Sequence, residues 1–122
     1  MSERKYHNEF VDYVTDLLDQ FATIAVRPMF GGFGIYKNGL MFALIADNEL
    51  YFKADENAAQ FFETYGSTPF TYDNGKKLVK MSYWKVVPDV FDNQEMIKIW
   101  IDIAYNVAVK NKQKTKPPRA KA

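Results

Sequence analysis

The dipeptide Asn38-Gly39, placed between two apolar segments, constrains the fold of this chain more than any other feature. The segment before it, Val26–Lys37, mixes glycines with aromatic residues, and the segment after it, Leu40–Ala46, is apolar at every position. Asparagine and glycine both tolerate the positive φ that a type I′ turn requires at its two central residues. The sequence therefore predicts a β-hairpin over these two segments.

The glycines Gly31, Gly32 and Gly34 predict a bend in the first strand of this hairpin. They do not form a dinucleotide-binding loop, because the residue three positions after Gly34 is Lys37 and a strand, not a helix, follows. Substitution of Gly32 by valine is expected to be costly if Gly32 adopts a positive φ, which a β-branched side chain resists.

Length and composition predict one globular domain. The chain has 122 residues, of which 48% are hydrophobic and 16% aromatic, and it contains no cysteine. Its longest apolar run, Leu40–Ala46, is far shorter than the ~20 residues of a membrane span. The polar N-terminus lacks the apolar stretch of a secretory signal, so a cytoplasmic location and no membrane partner are expected.

Hydrophobic periodicity predicts an α+β fold in which helices pack on an antiparallel sheet. The expected order is helix, three strands, helix, two strands, helix: Tyr6–Phe21; Val26–Lys37, Leu40–Ala46 and Glu49–Ala54; Glu56–Tyr65; Phe70–Tyr72 and Leu78–Val87; and a last helix from Asp92 through Ala108. Asp55 is the expected N-cap of the second helix, and Asp92 with Glu95 that of the last. The domain is expected over 1–111, with 112–122 as a disordered basic tail.

Leu40–Ala46 also bears on assembly, because neither face of a fully apolar strand favours water. Either helices cover both faces or a second subunit covers one of them, which makes a symmetric homodimer a reasonable expectation. The sequence leaves both alternatives open.

No arrangement of residues indicates catalysis or a metal site. The only histidine is His7, and without cysteines a single imidazole cannot build a zinc site. The serines Ser2, Ser67 and Ser82 have no histidine base other than His7. The chain is therefore expected to be non-enzymatic, with no cofactor and no metal.

Two groups of basic residues are candidates for contact with nucleic acid. Residues 1–109 hold ten basic and fifteen acidic residues, whereas 110–122 hold six basic residues and no acid. The candidate contacts are Lys76, Lys77, Lys80 and Lys85 around the last hairpin, and Lys112, Lys114, Lys116 and Arg119 in the tail. The competing interpretations are lysines that protect an edge strand from self-pairing and a tail that only adds solubility.

Three strings of residues resemble the N-terminal domain of the TfoX/Sxy proteins: Met29-Phe30-Gly31-Gly32-Phe33-Gly34-Ile35-Tyr36, Pro69-Phe70-Thr71-Tyr72 and Met81-Ser82-Tyr83-Trp84-Lys85-Val86. The resemblance covers roughly Phe10 to Ala108. It implies a secretion-chaperone-like fold with the same element order, and a structural role for Met29, Phe30, Gly31, Gly32, Gly34, Tyr36, Pro69, Phe70, Tyr72, Met81, Ser82 and Tyr83.

The best-known members of this family are bacterial regulators of natural competence, which act on transcription together with the cyclic-AMP receptor protein and carry a second, helical domain. This chain is expected to be a stand-alone N-terminal domain. The resemblance thus implies a non-enzymatic regulatory module that binds a protein partner or a second copy of itself. The alternative is direct nucleic-acid binding through the basic tail and the last hairpin.

Overall fold

A computed structural model describes residues 8–29, 31–73 and 75–115, without the side chains of residues 72, 73, 79, 80 and 113–115. The elements in this part of the chain are, in order, α1 (Glu9–Asp19), β1 (Ala25–Met29), β2 (Gly32–Lys37), β3 (Leu40–Ala46), β4 (Glu49–Lys53), α2 (Glu56–Glu63), β5 (Pro69–Asp73), β6 (Leu78–Lys85), α3 (Pro88–Phe91) and α4 (Gln94–Thr115). The strands form one six-stranded antiparallel sheet in the order β1-β2-β3-β4-β6-β5. The predicted α+β class is confirmed.

The predicted strand Val26–Lys37 is two strands, which corrects the expected number before the second helix from three to four. The chain reverses after Met29, and Met29 then lies opposite Gly32 in the β1–β2 pair. Gly31 supplies the positive φ, at 62°, in this reversal. Phe30 lies outside the described residues.

Gly32 does not have the positive φ that would explain a costly substitution. A Cβ atom at this position would instead overlap the carbonyl oxygen of Ile45 on β3 and would lie 3.1 Å from the carbonyl carbon. Close approach of two backbones, not backbone conformation, therefore requires glycine here.

The predicted hairpin turn is confirmed, since Asn38 and Gly39 have φ values of 53° and 79°. The expected cap of α2 is also present: Asp55 Oδ1 accepts a hydrogen bond from the Ala58 amide at 2.8 Å. The expected cap of the last helix is wrong, because Asn93 Oδ1 accepts from the Met96 amide at 3.1 Å. Asp92 ends the short helix α3 instead.

All four helices pack on one face of the sheet. Their buried side chains, among them Val14 of α1, Phe62 of α2, Val90 of α3 and Trp100 of α4, belong to one hydrophobic cluster. The strands contribute Ile35, Phe42, Ala43, Ile45, Leu50, Phe52 and Trp84 to the same cluster. We call this the helical side of the sheet.

Helix α4 continues through Thr115, so residues 112–115 are helical although the sequence places them in the tail. Residues 116–122 lie outside the described part of the chain. Across the described residues, each helix is too short or too polar to cross a bilayer.

Candidate binding site on the open face of the sheet

The face of the sheet opposite the helices is open in the described part of the chain. Because successive strand residues point to opposite faces, the residues flanking those of the core point away from the helices. The register aligns Arg27, Gly34, Leu44, Tyr51 and Lys85 across five strands. We define the open face as Arg27, Met29, Gly34, Tyr36, Met41, Leu44, Glu49, Tyr51, Lys53, Phe70, Tyr83 and Lys85.

Gly34 leaves room on this face for the side chains of its neighbours. A Cβ atom at Gly34 would lie 3.1 Å from Met41 Sδ, 3.1 Å from Tyr36 Cε1 and 3.2 Å from Met29 Sδ. These three side chains therefore lie over β2 in the space that a side chain at Gly34 would fill. The glycine allows β1, β2 and β3 to pack their larger side chains flat on the open face.

Cations and aromatic rings pair across the same face. The Arg27 guanidinium lies 5.3 Å from the centroid of the Tyr36 ring. The Lys53 ammonium lies 4.8 Å from the centroid of the Tyr83 ring. At this spacing a cation is attracted by the negative face of the ring.

A further ring pair lies beside these cations. Tyr51 and Phe70 meet edge to face, with centroids 4.8 Å apart. Their contact joins β4 to β5, although β6 lies between the two strands. Aromatic side chains thus extend over the open face as far as β5, the strand at the edge of the sheet.

These contacts show what covers each of the two sides of the apolar strand β3. In the described ranges of the chain, helices pack on its Ala43 and Ile45 side and not on its Leu44 side, so for these residues the alternative in which helices cover both faces is wrong. Leu44 on the open face is nevertheless only 6% exposed, because neighbouring side chains shield it. The open face is therefore apolar at its centre and partly dehydrated.

The ionisable groups of the open face reflect this dehydration. Burial lowers the pKa of the Lys53 ammonium, because the charged form loses water. Burial also raises the pKa of the Tyr51 hydroxyl, and the nearby Glu49 and Asp47 carboxylates raise it further. Burial, with a smaller effect of Tyr36, raises the pKa of Tyr83 to about 12.

Replacement of Tyr83 by phenylalanine is expected to make the protein more resistant to alkali. Tyrosine in the unfolded chain ionises near pH 10, whereas the pKa of Tyr83 in the folded protein is about 12. The neutral hydroxyl therefore contributes its full stabilisation below pH 10, and this contribution is lost as the pH rises to about 12. Over this pH range the free energy of unfolding of the wild type should fall by about 2–3 kcal/mol more than that of Tyr83→Phe. Urea unfolding at several alkaline pH values measures the difference. A Tyr13→Phe control that behaves like Tyr83→Phe would contradict the assignment.

The described residues of the TfoX/Sxy motif lie in three regions of the structure. Met29, Gly34, Tyr36, Phe70 and Tyr83 lie on the open face, whereas Met81 and Ser82 line a groove beside α2. Gly31 and Gly32 shape the β1–β2 reversal, and Pro69 lies opposite Trp84. Phe30 and the side chain of Tyr72 lie outside the described part of the chain.

Arg27, Leu44, Tyr51 and Lys53 belong to the open face but were not predicted from the sequence as members of a site. The alternation of Glu49-Leu50-Tyr51-Phe52-Lys53 is the signal that marks two of them, because Leu50 and Phe52 are the buried residues. Arg27 and Leu44 have no comparable local signal. Their place follows only from the register of β1, β2 and β3.

The candidate nucleic-acid contacts that the structure describes lie on separate segments of the chain. Lys76 and Lys77 are exposed before β6, whereas Lys85 ends that strand, whose length is about 23 Å at the usual rise per residue. Lys85 lies 3.4 Å from the Glu49 carboxylate. Lys112 is exposed on α4. The side chains of Lys80 and Lys114 are not described, and Lys116 and Arg119 lie outside the described residues.

Among the described residues, His, Asp and Glu side chains form no group of three or more that could hold a metal ion. His7 lies outside that part of the chain. Ser67 is buried, and its hydroxyl donates a hydrogen bond to the Lys85 carbonyl at 2.6 Å. This serine therefore links the segment before β5 to the end of β6.

The architecture defines a two-layer α+β domain with one helix-covered and one open sheet face. The chain belongs to the TfoX N-terminal domain family, whose model matches residues 16–108. It is similar to Protein Sxy of Escherichia coli (strain K12), with 27% identity over 97 residues. The match covers 80% of this chain and 46% of the relative, so the chain spans about half the length of that curated protein. The resemblance to the TfoX/Sxy proteins is confirmed.

Proposed function

We propose that this domain is a regulatory module that acts without catalysis, by binding another protein through the open face of its sheet. The observation that carries the proposal is the convergence of motif residues on that face. Met29, Gly34, Tyr36, Phe70 and Tyr83 come from four different strands, and the fold brings them to the side that the helices leave uncovered. A sheet face without a helical cover, with an apolar side chain as exposed as Met29 at its edge, is typical of protein–protein contact sites.

The resemblance to competence regulators favours a role in transcription. Binding of a partner on the open face would bury apolar area at about 25 cal/mol per Å². Met29 at the edge of the sheet is 45% exposed and is the most accessible apolar side chain of the face. Methionine surfaces adapt their shape to a protein partner, since the side chain is unbranched and flexible.

Transcript profiling of a host strain that lacks the chain tests the regulatory role. We expect a set of transcripts to change on deletion and to recover with wild type but not with Met29→Asp, which places a charge on the open face. Ile99→Asp is a matched control, because Ile99 is also 45% exposed but lies on α4. Equal recovery with both variants, at equal protein levels, would contradict the role of the open face. A deletion without effect on transcripts would contradict regulation itself.

Direct nucleic-acid binding through the last hairpin and the basic tail stays a prediction. The exposure of Lys76 and Lys77 favours it, but Lys85 lies at the far end of β6. Titration of duplex DNA at two salt concentrations tests it, since phosphate contacts make affinity fall steeply with salt.

A further inference from the structure

We infer that the open face recognises an acidic protein segment that also carries apolar side chains. This inference rests on the proposed function, because it names the chemistry of the partner that docks on the same face. Met29, which is 45% exposed, and the partly exposed Met41 accept the apolar side chains, and two cations of the same face accept the carboxylates.

The charge of the open face supports an anionic partner. Arg27 and Lys53 project from β1 and β4, and neither forms an ion pair within the described part of the chain. Glu49 is the one carboxylate in the open face as defined, and it pairs with Lys85 at 3.4 Å, while the Asp47 carboxylate lies nearby, close enough to raise the pKa of Tyr51. Arg27 and Lys53 are therefore the cations of this face that a partner's carboxylates can pair with, in surroundings that are partly dehydrated.

The acidic residues of the chain lie mainly elsewhere. Residues 1–109 hold an excess of acids, and the helices carry many of them, among them Asp16 and Asp19 of α1, Glu56 and Glu63 of α2, and Asp102 of α4. The helices pack on the opposite side of the sheet. Helices α1 and α2 carry acids and no base, whereas Asp102 of α4 pairs with Lys98 and α4 holds more lysines than acids. An acidic partner is therefore repelled by α1 and α2 and attracted by the cations of the open face.

The surroundings of Lys53 are the strongest local argument that the partner presents a carboxylate. It is half-buried over the Tyr83 ring, and burial lowers its pKa because the ammonium loses hydration. A carboxylate placed beside Lys53 would favour the charged form again and would gain a charge-assisted hydrogen bond. A neutral acceptor would gain less, because it offers a hydrogen bond without the attraction between opposite charges.

Nucleic acid is a poorer fit to this face than an acidic protein segment. Single-stranded nucleic acid binds by stacking bases on free aromatic faces. Here Arg27 lies over the Tyr36 ring, Lys53 lies over the Tyr83 ring, and Tyr51 packs against Phe70. Stacking a base would displace these contacts, whereas apolar side chains can pack on Met29 and Met41 beside them.

A second copy of the chain is also a poorer fit. Two open faces packed on each other would bring two sets of Arg27 and Lys53 together, while Glu49 of each copy is already paired with Lys85. Like charges brought together in an interface disfavour association. Residues 116–122 of the same chain are basic and carry the same sign of charge as the face. The charge pattern thus favours a separate acidic chain.

Binding of labelled synthetic peptides to the full chain, followed by fluorescence anisotropy at low and high salt, tests the inference. The probe is a short peptide that alternates glutamate with leucine. Its matched controls alternate lysine with leucine and glutamate with serine, and a deoxythymidine oligonucleotide represents single-stranded nucleic acid. We expect the glutamate–leucine peptide to bind most tightly and to weaken as salt rises.

The variant Arg27→Gln/Lys53→Gln should weaken binding of the glutamate–leucine peptide on the order of tenfold. Lys98→Gln/Lys110→Gln removes the same charge from exposed positions of α4 and should leave it unchanged. Arg27→Lys/Lys53→Arg keeps the charge and should restore most of the affinity. Arg27→Gln alone, at an exposed site, provides a second test if the double variant unfolds.

Several results would overturn the inference. The first two are that the glutamate–leucine peptide does not bind at low salt, and that Arg27→Gln/Lys53→Gln and Lys98→Gln/Lys110→Gln weaken its binding equally. The other two are that the oligonucleotide binds more tightly than this peptide, and that the protein has the mass of two chains and loses it when Arg27 and Lys53 are replaced. If transcripts still depend on Met29 while the peptide does not bind, the acidic partner is wrong and the regulatory face stands. If the peptide binds but no transcript responds, the regulatory role is wrong.

Discussion

Replacement of Gly32 by alanine is expected to lower the free energy of unfolding by about 3 kcal/mol, at the upper end of the cost of overpacking. The new Cβ would overlap the Ile45 carbonyl oxygen and lie 3.4 Å from the Ala46 Cα atom. Both contacts are with the backbone of β3, which cannot rotate away as a side chain can. The β2–β3 pair must separate or shift its register, and this pair holds Ile35 and Ala43 in the core. Urea unfolding measures the cost.

The adjacent glycine is the matched control. Gly31 has a φ of 62°, and a Cβ there would have no neighbour within 4 Å. Asparagine tolerates this conformation, so Gly31→Asn should cost less than about 1 kcal/mol, whereas Gly32→Asn should cost as much as Gly32→Ala. If Gly31→Asn is the more damaging of the two asparagine variants, the close approach of β2 to β3 does not control the requirement for glycine.

Replacement of Trp100 by alanine is expected to lower the free energy of unfolding by about 3–5 kcal/mol. Trp100 is fully buried on α4 and stacks on Phe62 of α2, with ring centroids 4.2 Å apart. It also contacts Phe61 and Tyr65, so its removal leaves a cavity between the two helices. Thermal and urea unfolding measure the loss, and far-ultraviolet circular dichroism reports whether α4 survives.

Trp100→Phe separates the ring contacts from the indole N–H. The Nε1 atom of Trp100 is buried and has no hydrogen-bond partner in the described structure. Phenylalanine keeps an aromatic ring against Phe62 and removes this unsatisfied donor, so we expect less than half of the alanine cost. A cost equal to that of Trp100→Ala would show that the N–H donates an important hydrogen bond.

Features that depend on neighbours along the chain were predictable. The Asn38-Gly39 turn and the Asp55 cap each depend on residues within a few positions. The last cap was misplaced by one residue, because Asp92 and Asn93 are both good caps and tertiary packing selects between them.

The candidate site was far less predictable. Arg27, Leu44 and Tyr51 are distant in sequence, and only the pairing of four strands aligns them. Gly32 illustrates the same limit: a sequence does not distinguish a glycine needed for positive φ from one needed for close approach. The second case depends on Ile45, thirteen positions away on another strand.

The order of residues alone thus established the α+β class, the main turns and helices, and a family signature, because turn geometry and hydrophobic periodicity are local properties. The side of the sheet that the helices cover follows from strand order and from packing between distant segments. That choice leaves Arg27, Lys53 and their aromatic neighbours on the uncovered side. The surface proposed here as the working site therefore exists only in the folded chain.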